Sequence, residues 1–317
     1  MAPYLLQRVL ESLLVLFIMS FVIYGLIGLM PGDPIDLMIS ANPDLTPADQ
    51  ARLRRLYGLD QPLVERYWNW LTAALGGDLG YSRLHARPVL EVLGPRLVNT
   101  VLLMGLSLAL AFAIALPAGV LAATRPRSML DNAVNLGAFA GISVPPFWLA
   151  ILLIILFAVS LGWLPAGGMS SGPGAGVLDR LRHLVLPVLT LTLASVGGIT
   201  RYVRASTMEA LRQDYVRTAR AKGLSGGRVL FGHALRNAMI PVVTIVALDV
   251  GTLFSGALIT ETMFGWLGMG KTIYDAIMGN DYNLALTGLL FATAVTLAAN
   301  LLADLAYAWL DPRVSYK

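Results

Sequence analysis

Two carboxylates stand inside stretches that carry almost no other charge. Asp249 lies near the middle of the apolar run 238–260, and Asp304 lies towards the end of the run 284–310. An acid at mid-membrane depth costs about 2.5–3.5 kcal/mol on insertion scales, so each should face protein or water rather than lipid. Asp304 closes a stripe of Thr293, Thr296, Asn300 and Asp304, at spacings of three, four and four, which puts the four on one helix face. The chemistry open to such acids is contact with an amino group or cation, relay of a proton, or a hydrogen bond to a neighbouring helix. Asp249 is the candidate for lining a central cavity and meeting a substrate's amino group, and Glu261, at the outer mouth, is a second candidate. Asn300 and Asp304 fit the interhelical bond better.

Other chemistries find no matching residues. No GxxxxGK[ST] phosphate loop occurs, so the chain is not expected to hydrolyse ATP itself. No GxSxG, HExxH or paired-carboxylate constellation stands out, which argues against an enzyme. The three histidines, His85, His183 and His233, are far apart, and there are no cysteines, so neither a metal site nor a disulfide framework is indicated.

The elements that must position these acids follow from composition. Of 317 residues, 56% are hydrophobic and 13% charged, with a mean hydropathy of +0.69. A soluble domain carries about 25% charged residues, so this is an integral membrane protein. The net charge of +4 does not point to nucleic acid, because the basic residues flank the apolar runs, as membrane topology requires.

Six transmembrane helices are expected. The first occupies 1–30, in which residues 12–30 carry no charge and make a run longer than a signal-peptide core, with Arg8 before it, and PGDP at Pro31–Pro34 ends it. Residues 31–96 form one long polar segment with seven Arg and eight Asp or Glu. In it, Thr46 is placed to cap a short helix over Pro47–Tyr57, and Tyr67, Trp68 and Trp70 form an aromatic cluster suited to a membrane interface or a small packed lobe. The core, 97–310, has spans at about 97–124, 132–161, 184–203, 238–260 and 284–310, and 311–317 is a tail. Pro145 and Pro146 must kink or break the 132–161 span, at the translocation path or at a packing kink between helices.

Charge orients the chain. The proposed inner segments carry Arg8, Arg125, Arg127, eight Lys or Arg between Arg201 and Arg236, Arg313 and Lys317, thirteen in all. The two short outer loops carry only Arg180, Arg182 and Lys271, and the long 31–96 segment translocates with little regard to charge. Both termini are therefore expected inside.

The most basic part of the chain is Asp214–Pro241, within the inner loop 204–237. It reads as a short helix over Tyr215–Lys222, a left-handed stop at Gly223, an N-cap at Ser225 and a second helix over Arg228–Asn237. A loop that only connects would be short and polar. A structured elbow suggests a docking surface.

TARAKGLS followed by HALRNAMIP resembles the cytoplasmic coupling loop of ABC-importer permeases, in the form of the dipeptide/oligopeptide branch. The Glu-Ala-Ala of the general consensus falls on Arg217, Thr218 and Ala219, Gly223 matches, and Pro241 comes later than in the sugar importers. PGDP, LDQPLVERYWNWL with GDLGYS, SVPPFW and ETMFGWLGMG with NDY resemble further segments of that branch, in the same order.

The resemblance implies an all-α integral membrane fold, the type I importer permease core with an extra N-terminal helix and a long extracytoplasmic segment. It implies a bacterial or archaeal plasma membrane, a second homologous permease chain, two ATPase domains or subunits that carry ATP and Mg, and an extracytoplasmic substrate-binding protein. No cofactor is expected on this chain. The elbow would dock on the ATPase through Tyr215, Arg217, Thr218, Arg220 and Lys222, with Ala219 and Ala221 permitting close packing and Gly223 and Ser225 shaping the turn. Peptide is the expected substrate, with glutathione, nickel chelates and oligosaccharides as alternatives within the branch. The reading from another class is an ion-coupled secondary transporter with Asp249 and Asp304 as its relay. It leaves the elbow without a role, and a purely structural membrane protein leaves the kinked third helix and the acids without one.

Overall fold

The computed structural model describes residues 2–29, 46, 52 and 60–310, with the side chains of 2–5, 247–256, 303 and 306–310 outside the description. PGDP, the helix expected over Pro47–Tyr57 and the tail lie outside the described residues.

In chain order the elements are α1 (Ala2–Gly28), α2 (Leu63–Leu75), the two-residue strands β1 (Tyr81–Ser82) and β2 (Arg87–Pro88), then α3 (Val89–Thr124), α4 (Met129–Ser143) and α5 (Pro146–Leu153). A π-helical segment, Ile154–Ser160, continues α5. There follow α6 (Val177–Ala210), α7 (Asp214–Ala221), α8 (Gly226–Val229), a second π segment Leu230–Ala234, α9 (Leu235–Phe264), α10 (Met269–Met278) and α11 (Tyr282–Leu310). Among the described residues, five helical stretches are long and apolar enough to cross a membrane, and the bent pair α4–α5 makes a sixth if it is one span. The expected span count therefore holds by length and composition, although several helices run past the expected limits. α3 begins at Val89 rather than 97, and α6 covers 177–210 rather than 184–203.

The described residues form two compact units. The first is built on Asn99–Leu267 with the end of α11 from Thr296. Its hub is α6, which packs on α4, α5 and α9. More than half of its apolar stretch is buried (56%), against 17% for α1, so α6 is an interior helix and α1 a peripheral one. Leu103 and Met104 of α3 meet Leu184 and Leu191 of α6 and Ala257 of α9 in one cluster. Ala111 and Ala115 meet Ile199, Val203 and Val242 in the next. Ala150, Leu153, Leu186 and Phe264 form a third, under α5.

Backbones approach closely where glycine permits. A Cβ on Gly197 would lie 2.4 Å from the carbonyl oxygen of Ala138 in α4. Small residues serve this purpose in membranes, where packing rather than hydrophobic exclusion joins helices. Gly197→Ala is expected to force α4 from α6 and to destabilise the unit by about 1–3 kcal/mol. Thermal inactivation in detergent would measure this.

The second unit holds Leu5–Val98 and Gly268–Val295. Tyr67 of α2 is buried against Phe17, Phe21 and Tyr24 of α1, and its hydroxyl pairs with Ser20 Oγ at 2.7 Å. The aromatic residues are thus split. Tyr67 is core, while Trp68 remains half exposed. Asp281, just before α11, accepts from Ser82 Oγ (2.6 Å) and from the Leu84 amide (3.0 Å), which pins the β1–β2 hairpin to the 279–283 turn.

Candidate functional site

The elbow folds as a closed corner. α7 ends at Ala221 with Lys222 as its C-cap, and Gly223 takes φ +78 in the left-handed region. The Gly223 amide donates to Arg220 O (2.9 Å) and the Leu224 amide to Ala219 O (3.3 Å), the paired bonds of a Schellman stop. No atom lies within 4 Å of a Cβ built on Gly223, so glycine is required there by conformation and not by space. Ser225 occupies the N-cap position of α8 with extended backbone, but its hydroxyl makes no capping bond. The surrounding first-turn residues are exposed, and water can serve their amides.

The two faces of α7 differ. Val216 and Ala219, three apart, are buried against Ala210, Val229, Ala234 and Ala238. Tyr215, Arg217, Thr218, Arg220, Ala221 and Lys222 are exposed. Ala219 therefore packs inward on its own chain, and close approach from outside rests on Ala221. Arg217 makes a long surface contact with Asp214 at 3.4 Å, worth little. Arg220 and Lys222 have no ion pair among the described residues. Through α8 and the π segment the corner continues directly into α9, with Pro241 inside that helix.

At Pro145–Pro146 the expected kink is a bend of 100° between α4 and α5. Both Val144 (ψ 120°) and Pro145 (ψ 137°) precede a proline and are extended, because a residue before proline is kept out of the α region. Two such residues in succession separate the helices fully. Pro146 then begins α5 where a missing amide costs nothing.

The acids fall in different settings. Asp249 belongs to α9, but its side chain lies outside the described residues. Glu261 is fully buried at the end of α9 and accepts from Thr100 Oγ1 of α3 at 2.5 Å. Nearby, Trp266 Nε1 donates to Asn99 O (3.2 Å) and Asn99 Nδ2 to Leu267 O (2.8 Å). Glu261 thus sits inside the packed end of the first unit, not on an open mouth. Asp304 is half-buried, as are Thr293, Thr296 and Asn300.

One charged cluster escaped the sequence reading. Asp131, buried in the first turn of α4, takes a bidentate bond from Arg204 of α6, Nε to Oδ1 at 2.5 Å and Nη2 to Oδ2 at 2.8 Å. The Arg127 amide and Asn135 Nδ2 each donate to the same carboxylate at 2.8 Å, while Ser128 Oγ caps the Asp131 amide at 3.1 Å. The S-x-x-D pattern at Ser128–Asp131 carries the signal of this helix start.

Residues 115–316 match the family described as the binding-protein-dependent transport system inner membrane component, and residues 1–104 match the N-terminal part of such membrane components. The chain belongs to this permease family. The permease is 38% identical to the oligopeptide transport system permease protein AppB of Bacillus subtilis (strain 168), over the whole of both chains. It is 37% identical to the di/tripeptide transport system permease protein DppB of Pseudomonas aeruginosa (strain UCBPP-PA14), covering 95% of each, and 37% identical to the glutathione transport system permease protein GsiC of Escherichia coli O6:H1, covering 100% of each. A crystal structure of an amino acid ABC transporter with histidines shares the fold, with a TM-score of 0.52 at 14% identity over 68% of this chain and 92% of that one. The permease is a multi-pass, all-α transport subunit and not an enzyme.

Proposed function

We propose that the permease is one of two homologous membrane subunits of an ATP-driven importer of di- or oligopeptides. Two ATPase domains dock on the elbows, and an extracytoplasmic binding protein delivers the peptide. The chain lies in a bacterial or archaeal plasma membrane with both termini and the elbow in the cytoplasm. The observation that carries this reading is the exposed basic face of α7, fixed by a Schellman stop and buried on its other side, in a chain similar over its full length to proteins named as peptide permeases. Such a face moves as a unit with α8 and α9.

The cycle follows from differential affinity. ATP binds the closed ATPase pair more tightly than the open pair, and the elbows carry that preference into the spans, shifting the population from inward- to outward-facing. Hydrolysis restores the first state. ATP and Mg belong to the partner subunits, and this chain carries no cofactor. Asp249 is the substrate contact at mid-membrane, and the break at Pro145 and Pro146 is the irregular element along the path.

Uptake tests the reading. Proteoliposomes holding the permease with its co-purifying partners are expected to accumulate labelled trialanine only with ATP inside the ATPase compartment and binding protein outside. Accumulation driven by an imposed ion gradient without ATP would overturn it. In the same system Asp249→Asn is expected to lower uptake with assembly intact, and unchanged uptake would remove Asp249 from the path.

A further inference from the structure

A cavity of about 820 Å³ opens between α4 and α6, above the Asp131–Arg204 pair. Its size is that of ligand pockets. Phe139 and Ile142 of α4 give it an apolar wall, and Ser195, Arg201 and Tyr202 of α6 give it hydrogen-bond donors. The two arginines that line it are in opposite states. Arg204 is neutralised by the buried Asp131. Arg201, three residues earlier, is exposed, rests its guanidinium 4.6 Å from the centre of the Phe139 ring, and has no carboxylate partner among the described residues.

Arg201 is therefore oriented by a ring face while its five donors remain available. A guanidinium presents a planar fork, which matches a carboxylate in two parallel bonds. Among the described residues, no acid lines the cavity to compete for it. Building on the importer reading above, we infer that Arg201 receives the C-terminal carboxylate of the peptide cargo in the α4–α6 cavity, with Phe139 and Ile142 beside the cargo's side chains. The carboxylate is the group that peptides of any sequence share, so one arginine can serve many cargoes. The apolar wall adds area without demanding a particular side chain.

The chain has no cysteine, so Ala205→Cys at the cavity rim introduces the only thiol on this chain. The assembled complex is placed in phosphatidylcholine nanodiscs without ATP or binding protein. Labelling of this chain by a maleimide is followed with trialanine or trialanine amide. At trialanine concentrations about ten times Kd, labelling slows about tenfold, by the factor 1 + [L]/Kd. The amide leaves the rate unchanged, Arg201→Gln removes the protection, and Arg201→Lys retains part of it. Equal protection by acid and amide, or protection that survives Arg201→Gln, would overturn the assignment. So would protection without peptide that requires phosphatidylglycerol and Arg201, since a lipid headgroup would then hold the site. ATP-driven uptake by the same complex, reconstituted in proteoliposomes with binding protein, separates the two readings. Uptake without carboxylate-dependent protection defeats the Arg201 site alone, while no uptake by the unmodified complex defeats the importer.

Discussion

Reversing Arg217, Arg220 and Lys222 together to glutamate is expected to leave the permease folded and inserted while reducing binding-protein-stimulated ATPase activity by about tenfold or more, since like charges brought together at an interface cost several kcal/mol. All three side chains are exposed, and none belongs to the inner cluster of Val216, Ala219, Val229, Ala234 and Ala238. The loss therefore reads as lost docking. Ala219→Glu is expected to fail differently. It forces a carboxylate into that cluster, where a buried unpaired charge unseats α7 from its own chain. The triple variant should keep wild-type resistance to trypsin at the remaining elbow sites Arg228 and Arg236, and Ala219→Glu should lose it. Equal coupled ATPase in the triple variant and the wild type would remove the basic face from the account.

Asp131→Ala is expected to be among the most damaging single changes in the first unit, at about 3 kcal/mol or more, because it leaves Arg204 without its partner beside α4. It also removes the acceptor for the Arg127 amide and Asn135. Loss of Tm in detergent measures the effect. Removing both charges, as Asp131→Leu with Arg204→Met, should recover most of the stability, since an apolar pair of similar size avoids the stranded charge. A double variant no better than Asp131→Ala would show that the bonds from the Arg127 amide and Asn135 Nδ2 to the carboxylate matter more than the ion pair.

What was legible in the sequence was what depends on local pattern. Gly223 marked the corner because a left-handed stop has a residue preference, and Pro145–Pro146 marked the break because proline acts on its immediate neighbours. The helix ends were less legible. Hydropathy reports where a bilayer core begins, whereas α6 starts among Asp179, Arg180 and Arg182 because a helix can continue into polar surroundings. The direction of Ala219 was not legible, because an alanine fits either face and only the facing Val229, Ala234 and Ala238 decide which. Asp131 and Arg204 stand 73 residues apart, so their pairing exists only once α4 lies on α6. Glu261 read as an outer-mouth acid because it follows an apolar run, but Thr100 of α3 draws it inside.

The central claim is that α7 couples this chain to an ATPase, and ATPase activity of the reconstituted complex tests it most directly. The complex would be assembled in liposomes with its neighbouring ATPase subunits and given binding protein with and without trialanine. The account predicts ATP hydrolysis that rises on addition of loaded binding protein and is lost in the Arg217, Arg220, Lys222 triple variant. Hydrolysis indifferent to the binding protein, or stimulated equally in the triple variant, would contradict it.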